Sequence, residues 1–577
     1  MIKKLIRQML LAQIISALTV SLCLLIDNIM IGRYLGENAL TAYGLANPVL
    51  MVIGAVGSML CAGVQVVCSR SLGRGLREET DAGYSTAIAV AAVFAAAFMA
   101  VVFIFRVPIA RLMGADDPEL LNETSTYMMG FTIGAPASMA ALILVPFLQM
   151  AGQGNLLIVA VLGMTVSDVA LDLLNVLVFN GGMFGMGLAS SLSYYVAMVI
   201  GGWYFLSKKC VFRFSPKLIR WDKVRELVAG GVPTVVAMAS SVVLIFAVNK
   251  LLLPVGGKAA VAAFAVINTL INACNAISTG SGGVALTISG ILYNEEDRTG
   301  LKETVGVMAR YGATLGVLVA GLLMVFAPWC VKLFIPEAGA SQQFAIQGLR
   351  IFAVGLIPCC VNNAMKNLWQ GAGRVGAMEI VSVLENALLP TLAAFVLSRI
   401  AGVTGAWFYF FTGELLTTVL MLGYVWMKNG GVTWQPDHLL LLQDSFGVPK
   451  KDMLEADMRT LEQVMNFSRR AQGFCIEHGS SEKLANHLAL CVEEMGTNIV
   501  THGFSKTGEN HLSIRLQYKD GRWMLRFRDD CTAFDPVSHV AENAESVGIR
   551  LAMRMADEAR YTYSMSLNNL TLILKDI

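Results

Sequence analysis

Residues 24–46 read LLIDNIMIGRYLGENALTAYGLA, and the fold turns on the acid in that stretch. Asp27 lies inside an apolar run from Met9 to Ile31. A charge at the centre of a membrane helix costs roughly 2.5–3.5 kcal/mol on insertion scales, so such a residue faces a cavity or a partner rather than lipid. The rest of the chain fits a membrane setting. Of 577 residues, 55% are hydrophobic and 15% charged, with mean hydropathy +0.62, a balance found in polytopic membrane proteins. The net charge of +2 gives no ground for a nucleic-acid partner. The basic, apolar N-terminus imitates a secretory signal. It lacks a small-x-small cleavage site before Asp27, so a retained first helix is expected. Eleven cysteines show no CxxC spacing and read as small apolar residues or reduced thiols.

A bilayer core needs about 20 apolar residues per helix. That ruler places about twelve spans, near 9–33, 41–68, 83–106, 126–149, 156–179, 184–206, 227–253, 259–290, 304–328, 346–368, 376–398 and 405–427. Lys and Arg crowd the loops on one side, including Arg70, Arg74, Arg77, Lys208, Lys209, Arg213, Arg298 and Lys428. Positively charged loops stay in the cytoplasm, which with an even helix count predicts both termini there. The chain also repeats itself. Asn28/Asn249, Gly36/Gly257, Gln149/Gln370 and Gly152/Gly373 share one offset, 257 less 36, or 221 positions. An offset of six helices means parallel repeats. The halves are expected at 1–206 and 227–428, joined by a basic linker at 207–226.

Three acids lie deep in the first half: Asp27, Asp168 and Asp172. Asp168 and Asp172 are four apart and share a helix face. Two carboxylates so close in low dielectric do not both ionise easily, so one holds a proton or the pair shares a cation. The plainer alternative is that they cap kinks or bond to neighbouring helices. The candidate coupling or substrate set is Asp27, Asp168, Asp172 and Asn175. The second half carries Val248 at the place of Asp27; its own charges are Lys366, Glu385 and Glu414.

Residues 1–428 resemble the multidrug and toxic compound extrusion (MATE) family. The likeness rests on Ile26-Asp27-Asn28 with Gly32-Arg33 and Gly36, the loop Ser69–Gly75, Gln149 with Gly152, and Asp172. It implies a V-shaped pair of six-helix bundles and antiport of a small organic compound against protons or sodium. In the family, acids at the Asp27 and Asp172 positions take part in cation coupling, while the Asp168 position is usually asparagine.

The chain changes character near Gly430. All six histidines lie between His438 and His539. After a linker at 429–454, residues 455–577 read as a soluble α/β domain. Helices are expected at 457–478 and 481–502, a hairpin around Asp520-Gly521, a helix near 546–559, and a second hairpin turning at Asn568-Asn569. In LALCVEEMGTNIVTHGF (488–504), Glu494, Asn498 and His502 are spaced four apart on one helix face. A carboxylate and a carboxamide one turn apart can position water and Mg²⁺, which prefers oxygen ligands. An acid at a strand end, Asp529, can read an adenine amino group, and Gly548 at a helix start lets phosphates approach backbone N–H groups.

These blocks resemble the GHKL ATPases, and most nearly the anti-sigma-factor serine kinases. The resemblance implies Glu494 as general base, Asn498 as Mg²⁺ ligand, and Asp529 and Gly548 as ATP contacts. The family pattern D-x-G-x-G reads Asp529-Asp530-Cys531-Thr532-Ala533 here, with both glycines replaced. The phosphate motif reads Ser546-Val547-Gly548, and the lid from Asp535 to Ser546 is short.

The expected architecture is an all-α polytopic membrane domain of two six-helix bundles, followed by an α/β sandwich of GHKL type. The expected function is a multi-pass, cation-coupled exporter in the cell membrane, carrying a cytoplasmic domain that binds ATP and Mg²⁺. No G-x-x-x-x-G-K-[ST] occurs, which disfavours an ATP-driven pump. The rival readings are a membrane-tethered regulator that phosphorylates a serine on a cytoplasmic, anti-sigma-antagonist-like partner, and a lipid-precursor flippase.

Overall fold

Matched left-handed residues punctuate the two membrane halves. Gly36 (φ 95°) answers Gly257 (φ 62°), and Gly152 (φ 73°) answers Gly373 (φ 77°). A positive φ is cheap only for glycine, so the repeat read from spacing is also a repeat of backbone shape. One further pair keeps the offset without keeping the glycine. Gly75 (φ 71°) corresponds to Glu296 (φ 54°), a non-glycine residue held in the same region.

The structure is a computed structural model. It describes all residues except 1–5, 8, 16–18, 20–22, 24–25, 28–29, 116, 208–209, 336–338, 432–434, 444–445, 506–509, 539–546 and 576–577. Asn28, Lys208, Lys209, Ser546 and most of the expected lid therefore lie outside the described residues.

The first half comprises α1 (Glu37–Gly73), α2 (Arg77–Leu112), α3 (Pro118–Thr132), α4 (Ala135–Met150), α5 (Gly154–Leu174) and α6 (Gly182–Leu206). The second comprises α7 (Trp221–Asn294), α8 (Arg298–Phe334), α9 (Ala340–Gly371), α10 (Val375–Val383), α11 (Leu389–Trp407) and α12 (Tyr409–Asn429). Among the described residues, nine helical stretches are long and apolar enough to span a membrane, or ten if α3 and α4 count as one span bent by 49°. That bend replaces the single helix expected at 126–149. Ser191 mends it, donating to the carbonyls of Gly130 (2.6 Å) and Phe131 (2.8 Å) and accepting from the Gly134 N–H (2.8 Å). Of the other two expected spans, 259–290 is the far arm of α7, where the strongly apolar part is only Ala259–Ile271. The span at 9–33 falls partly outside the described residues.

The halves meet backbone to backbone. A Cβ on Gly63 would sit 2.0 Å from the Leu227 carbonyl, and one on Gly231 would sit 2.0 Å from the Met59 carbonyl. Only glycine permits that approach. Gly73 packs on Ile291, Arg74 donates to Asn294 Oδ1 (3.2 Å) and Gln370 Nε2 to the Gly230 carbonyl (3.1 Å); the loops 73–77, 150–154, 294–298 and 371–375 are here called the basic end.

The C-terminal domain is a five-stranded antiparallel sheet in the order β1-β2-β3-β5-β4: β1 Met453–Met458, β2 Leu512–Lys519, β3 Arg522–Asp529, β4 Glu558–Ser564, β5 Leu567–Lys575. Helices α13 (Leu461–Glu477) and α14 (Glu482–Asn498) cover one face, with α15 (Val547–Met555) beside them. Helix α13 starts at a capping box, Thr460 with Gln463. Strand alternation sends Ile514, Leu516, Trp523, Leu525 and Phe527 into this core and places Arg515, Arg526 and Arg528 on the opposite face. Strand β1 was not expected from the sequence. The second hairpin turns at Met565-Ser566 (φ 55° and 60°), not at Asn568-Asn569, which pair inside the sheet with Asp529 and Arg528. The turn is set by what it touches: Met565 N–H donates to the Met150 carbonyl (2.6 Å) and Ser566 Oγ to the Gly152 carbonyl (3.1 Å) of the first half.

Candidate functional sites

In the first half, Asp27, Asp168 and Asp172 are all buried, and Asp27 lies within hydrogen-bond reach of both other acids. Ser193 and Cys23 approach Asp168. Among the described residues, Asp27 Oδ1, Asp168 Oδ1 and both oxygens of Asp172 have no hydrogen-bond partner. Polar groups left this way are costly inside a protein. Tyr127 and Tyr194 stand close enough to feel its field, and Tyr43 packs edge-on to Tyr127 at 5.3 Å. No spacing rule in the sequence singles out these tyrosines or Ser193.

Asn175 is placed differently. It opens a π-helical turn, Asn175–Phe179, at the end of α5. Its Oδ1 accepts from the Gly181 N–H (3.1 Å) and its Nδ2 donates to the Gly182 carbonyl (3.1 Å). These bonds hold the connection between α5 and α6.

The second half pairs its charges. Lys366 forms an ion pair with Glu385, and Glu414 Oε2 accepts from Asn362 Nδ2 (2.9 Å), whose Oδ1 accepts from Thr418 Oγ1 (2.9 Å). Val248, at the repeat position of Asp27, is fully buried in an apolar core.

The second site is a cavity of about 760 Å³ in the C-terminal domain, lined by Glu494, Asn498, His502, Asp529, Gly548 and Asn568 among others. Its size suits a drug-sized or cofactor ligand. It brings together Glu494, Asn498, Asp529 and Gly548, the four positions singled out in the sequence. Of the adjacent glutamates, Glu493 accepts from Ser468 Oγ (2.8 Å) on the helix side, leaving Glu494 to the cavity. Asp529 Oδ1 accepts from Asn568 Nδ2 (2.8 Å) and the Cys531 N–H (3.0 Å). Burial pushes the Asp529 carboxyl up, and those two bonds pull it back. Asn568 Oδ1 in turn accepts from Tyr561 Oη (2.7 Å) and the Phe534 N–H (3.1 Å). The sequence suggests Asn568 as a turn residue, and its place here emerges only with the observed pairing of Asn568 and Asp529. The two lost glycines cause no backbone strain, because no residue from Asp530 to Phe534 has a positive φ. Cys531 turns its sulfur towards Gly503. At Gly548 a Cβ would lie 2.0 Å from Glu494 Oε2, so a side chain there would push the Glu494 carboxylate aside. The donor set fits a purine nucleotide: a buried carboxylate beside a carboxamide for the base, a carboxamide oxygen of Asn498 for a hard metal ion with the Glu494 carboxylate one turn away, and a bare backbone at Gly548 for phosphate.

Comparisons with known proteins match both parts of the chain. The MatE family model matches residues 12–174 and 233–396, and the histidine kinase-like ATPase domain model matches 458–574. The multidrug export protein MepA of Staphylococcus saprophyticus is 22% identical over 420 residues, spanning 72% of this chain and 91% of that protein. An FAD transporter of Shewanella oneidensis is 25% identical over 242 residues, 39% of this chain and 52% of that protein. The crystal structure of a MATE protein in complex with MaL6 superposes with a TM-score of 0.68 at 20% identity, covering 74% of this chain and 95% of that one. With its two matched repeats in one fold and its third match on the nucleotide-shaped cavity, the chain belongs to the MatE (multidrug and toxic compound extrusion) family and ends in a histidine kinase-like ATPase domain.

Proposed function

We propose that this protein exports small organic compounds across the cell membrane in exchange for protons or sodium, and that its C-terminal domain binds ATP with Mg²⁺ on the cytoplasmic side. The observation that carries the transport reading is the trio Asp27, Asp168 and Asp172, buried together with four oxygens that have no hydrogen-bond partner among the described residues. Three carboxylates so close in low dielectric need a proton or a cation to share the site. A site that takes up positive charge and gives it back is what coupling requires. Relatives named for multidrug export support organic compounds as cargo. The excess of Lys and Arg in the loops at the basic end supports its placement in the cytoplasm. Asn175 serves here as a positioning residue, holding the α5–α6 connection so that Asp172 stays aligned.

In the C-terminal domain, Asp529 and Asn568 would hold the base, Asn498 the metal, and Glu494 would orient or deprotonate a nucleophile. ATP supplies, when bound, a transferable phosphoryl group. Flux of a fluorescent organic cation into proteoliposomes under an imposed ion gradient tests the first reading; unchanged flux in Asp27→Asn would sink it. Calorimetric titration of the full chain with ATP, with and without Mg²⁺ and with Asn498→Ala as control, tests the second.

A further inference from the structure

The two domains do not hang loosely on a tether. The arginine face of the sheet is buried against the membrane half. Arg515 Nη2 reaches Asp297 (3.0 Å), Arg528 Nη1 reaches Asp297 (3.2 Å), and Arg528 Nη2 pairs with Glu295. Arg526 donates to the Glu295 carbonyl (3.2 Å), and Lys519 pairs with Glu296 (2.5 Å). All of these land on the second half. On the first half, Ser566 and Met565 seat on the loop at Gly152 and Met150. Arg560 donates to the Arg74 carbonyl (3.3 Å), and Asp535 pairs with Arg77 (3.2 Å). The loops touched are repeat equivalents: 74–77 answers 295–298, so one rigid sheet grips the same loop of both halves.

Transporters built from such repeats work by rocking one half against the other around a fixed site. Opening the basic end requires the Gly63–Leu227 and Gly231–Met59 contacts to part, and the sheet spans that seam. A second observation ties the grip to the cavity. Asp529 and Asn568 are cross-strand partners, and so are the next pair, Arg528 and Asn569. Side chains alternate faces along a strand. The first pair therefore faces the cavity and the second faces the transporter, where Asn569 Oδ1 accepts from Arg528 Nε (2.7 Å).

We propose that the C-terminal domain is a nucleotide-sensitive staple: a purine nucleotide bound at Asp529–Asn568 orders the neighbouring Arg528–Asn569 pair, tightens the grip on Glu295 and Asp297, and holds the basic end shut. This rests on the reading of the cavity as a nucleotide site. Ordering one pair in advance lowers what its neighbour must lose on docking, which is positive coupling. Nucleotide then acts as a brake on transport rather than as its fuel.

The test uses the full chain in proteoliposomes, with binding and flux measured on the same preparation. ATP on the domain side is expected to slow flux by about fivefold or more, the low end of ordinary allosteric coupling. Asp297→Asn is expected to remove that slowing and, because docking and nucleotide binding are linked, to weaken ATP binding as well. Arg77→Glu, at a partly exposed contact, is expected to act in the same direction more mildly and covers the case in which Asp297→Asn fails to fold. If ATP binds and flux is the same with and without it, the staple is overturned while the nucleotide site stands. If ATP does not bind at all, the reading of the cavity falls, and the staple with it.

Discussion

The molecule holds two clusters of buried charge that teach opposite lessons. At the seam between domains, Arg515, Arg526 and Arg528 face Glu295 and Asp297, and Arg515 also pairs with Glu455 (2.7 Å), so three positive charges meet three negative ones. Inside the first membrane half, Asp27, Asp168 and Asp172 face one another with no cation in reach among the described residues. Both clusters are deep, but only the first is electrically complete. A matched cluster is structure: it specifies how two surfaces meet. The unmatched one is where we propose that the coupling cation is taken up. The second membrane half shows that the repeat does not require the acid, because it puts Val248 where Asp27 stands and pairs Lys366 with Glu385.

This contrast can be broken by experiment. The largest effect is expected from Asp27→Asn, which should reduce ion-driven flux to the passive leak while leaving the thermal midpoint nearly unchanged. A large loss of stability with flux retained would make the trio structural. Next, Asp297→Ala should cost about 3–5 kcal/mol of domain-docking stability, because it removes an acid shared by Arg515 and Arg528 and leaves three buried arginines with only Glu295 and Glu455. Limited proteolysis between the domains would read this as faster cleavage.

The pH dependence follows from the same residue. Burial pushes the Asp297 carboxyl up, but the Arg515 and Arg528 guanidiniums outweigh it and hold the group well below the usual carboxylate range. Undocked, it would titrate near about 3.9. A depressed carboxyl contributes stability that is complete above the undocked value and is lost as pH falls towards the docked one. Docking should therefore be unchanged from pH 7 to 5 and weaken only below about 4. Cleavage that already accelerates at pH 6 would contradict the assignment.

Smaller still, Gly152→Ala should cost about 1–3 kcal/mol, since it places a side chain at a positive φ and 1.9 Å from Ser566 Oγ. The smallest effect is expected from replacing Lys366 and Glu385 together by Met and Leu. Removing both members of a buried pair is often neutral or stabilising by about 1–4 kcal/mol, so flux and thermal midpoint should hold. Loss of flux would move that pair from structure to transport.

Much of this was legible in the sequence because buried charge in apolar surroundings is conspicuous. Asp27, Asp168 and Asp172 were singled out by depth and spacing, and the structure brings them together. Glu494, Asn498, Asp529 and Gly548 were found by residue type and order, and one cavity holds all four. What stayed hidden depends on the partner surface. Arg515, Arg526 and Arg528 alternate with apolar residues in a way that reads as a solvated sheet face, and nothing local says that a transporter loop covers them. The turn at Met565-Ser566 is improbable by its own residues, both at positive φ, and Asn568-Asn569 is the better local candidate. Docking on Gly152 and the pairing of the two asparagines with Asp529 and Arg528 overrule that preference. Strand β1 was missed because Met453–Met458 is short, half-exposed and broken by charges. The bend between α3 and α4 was missed because Ser191, which repairs it, lies about 60 residues further along.

The tether between the domains is itself pinned. Asp437 pairs with Arg298 (3.2 Å) and Lys302 (2.7 Å), the Leu439 carbonyl accepts from Trp369 Nε1 (2.7 Å), the Leu441 carbonyl accepts from Arg374 (2.7 Å), and Phe446 stacks on Tyr293 at 4.9 Å. A domain moored this close re-encounters its dock at an effective concentration in the millimolar range, on the scale for short linkers. Its release is then a swing about a fixed hinge rather than an escape. Re-seating follows the clock of loop and hinge motion, microseconds to milliseconds, and does not slow when the protein is scarce in the membrane.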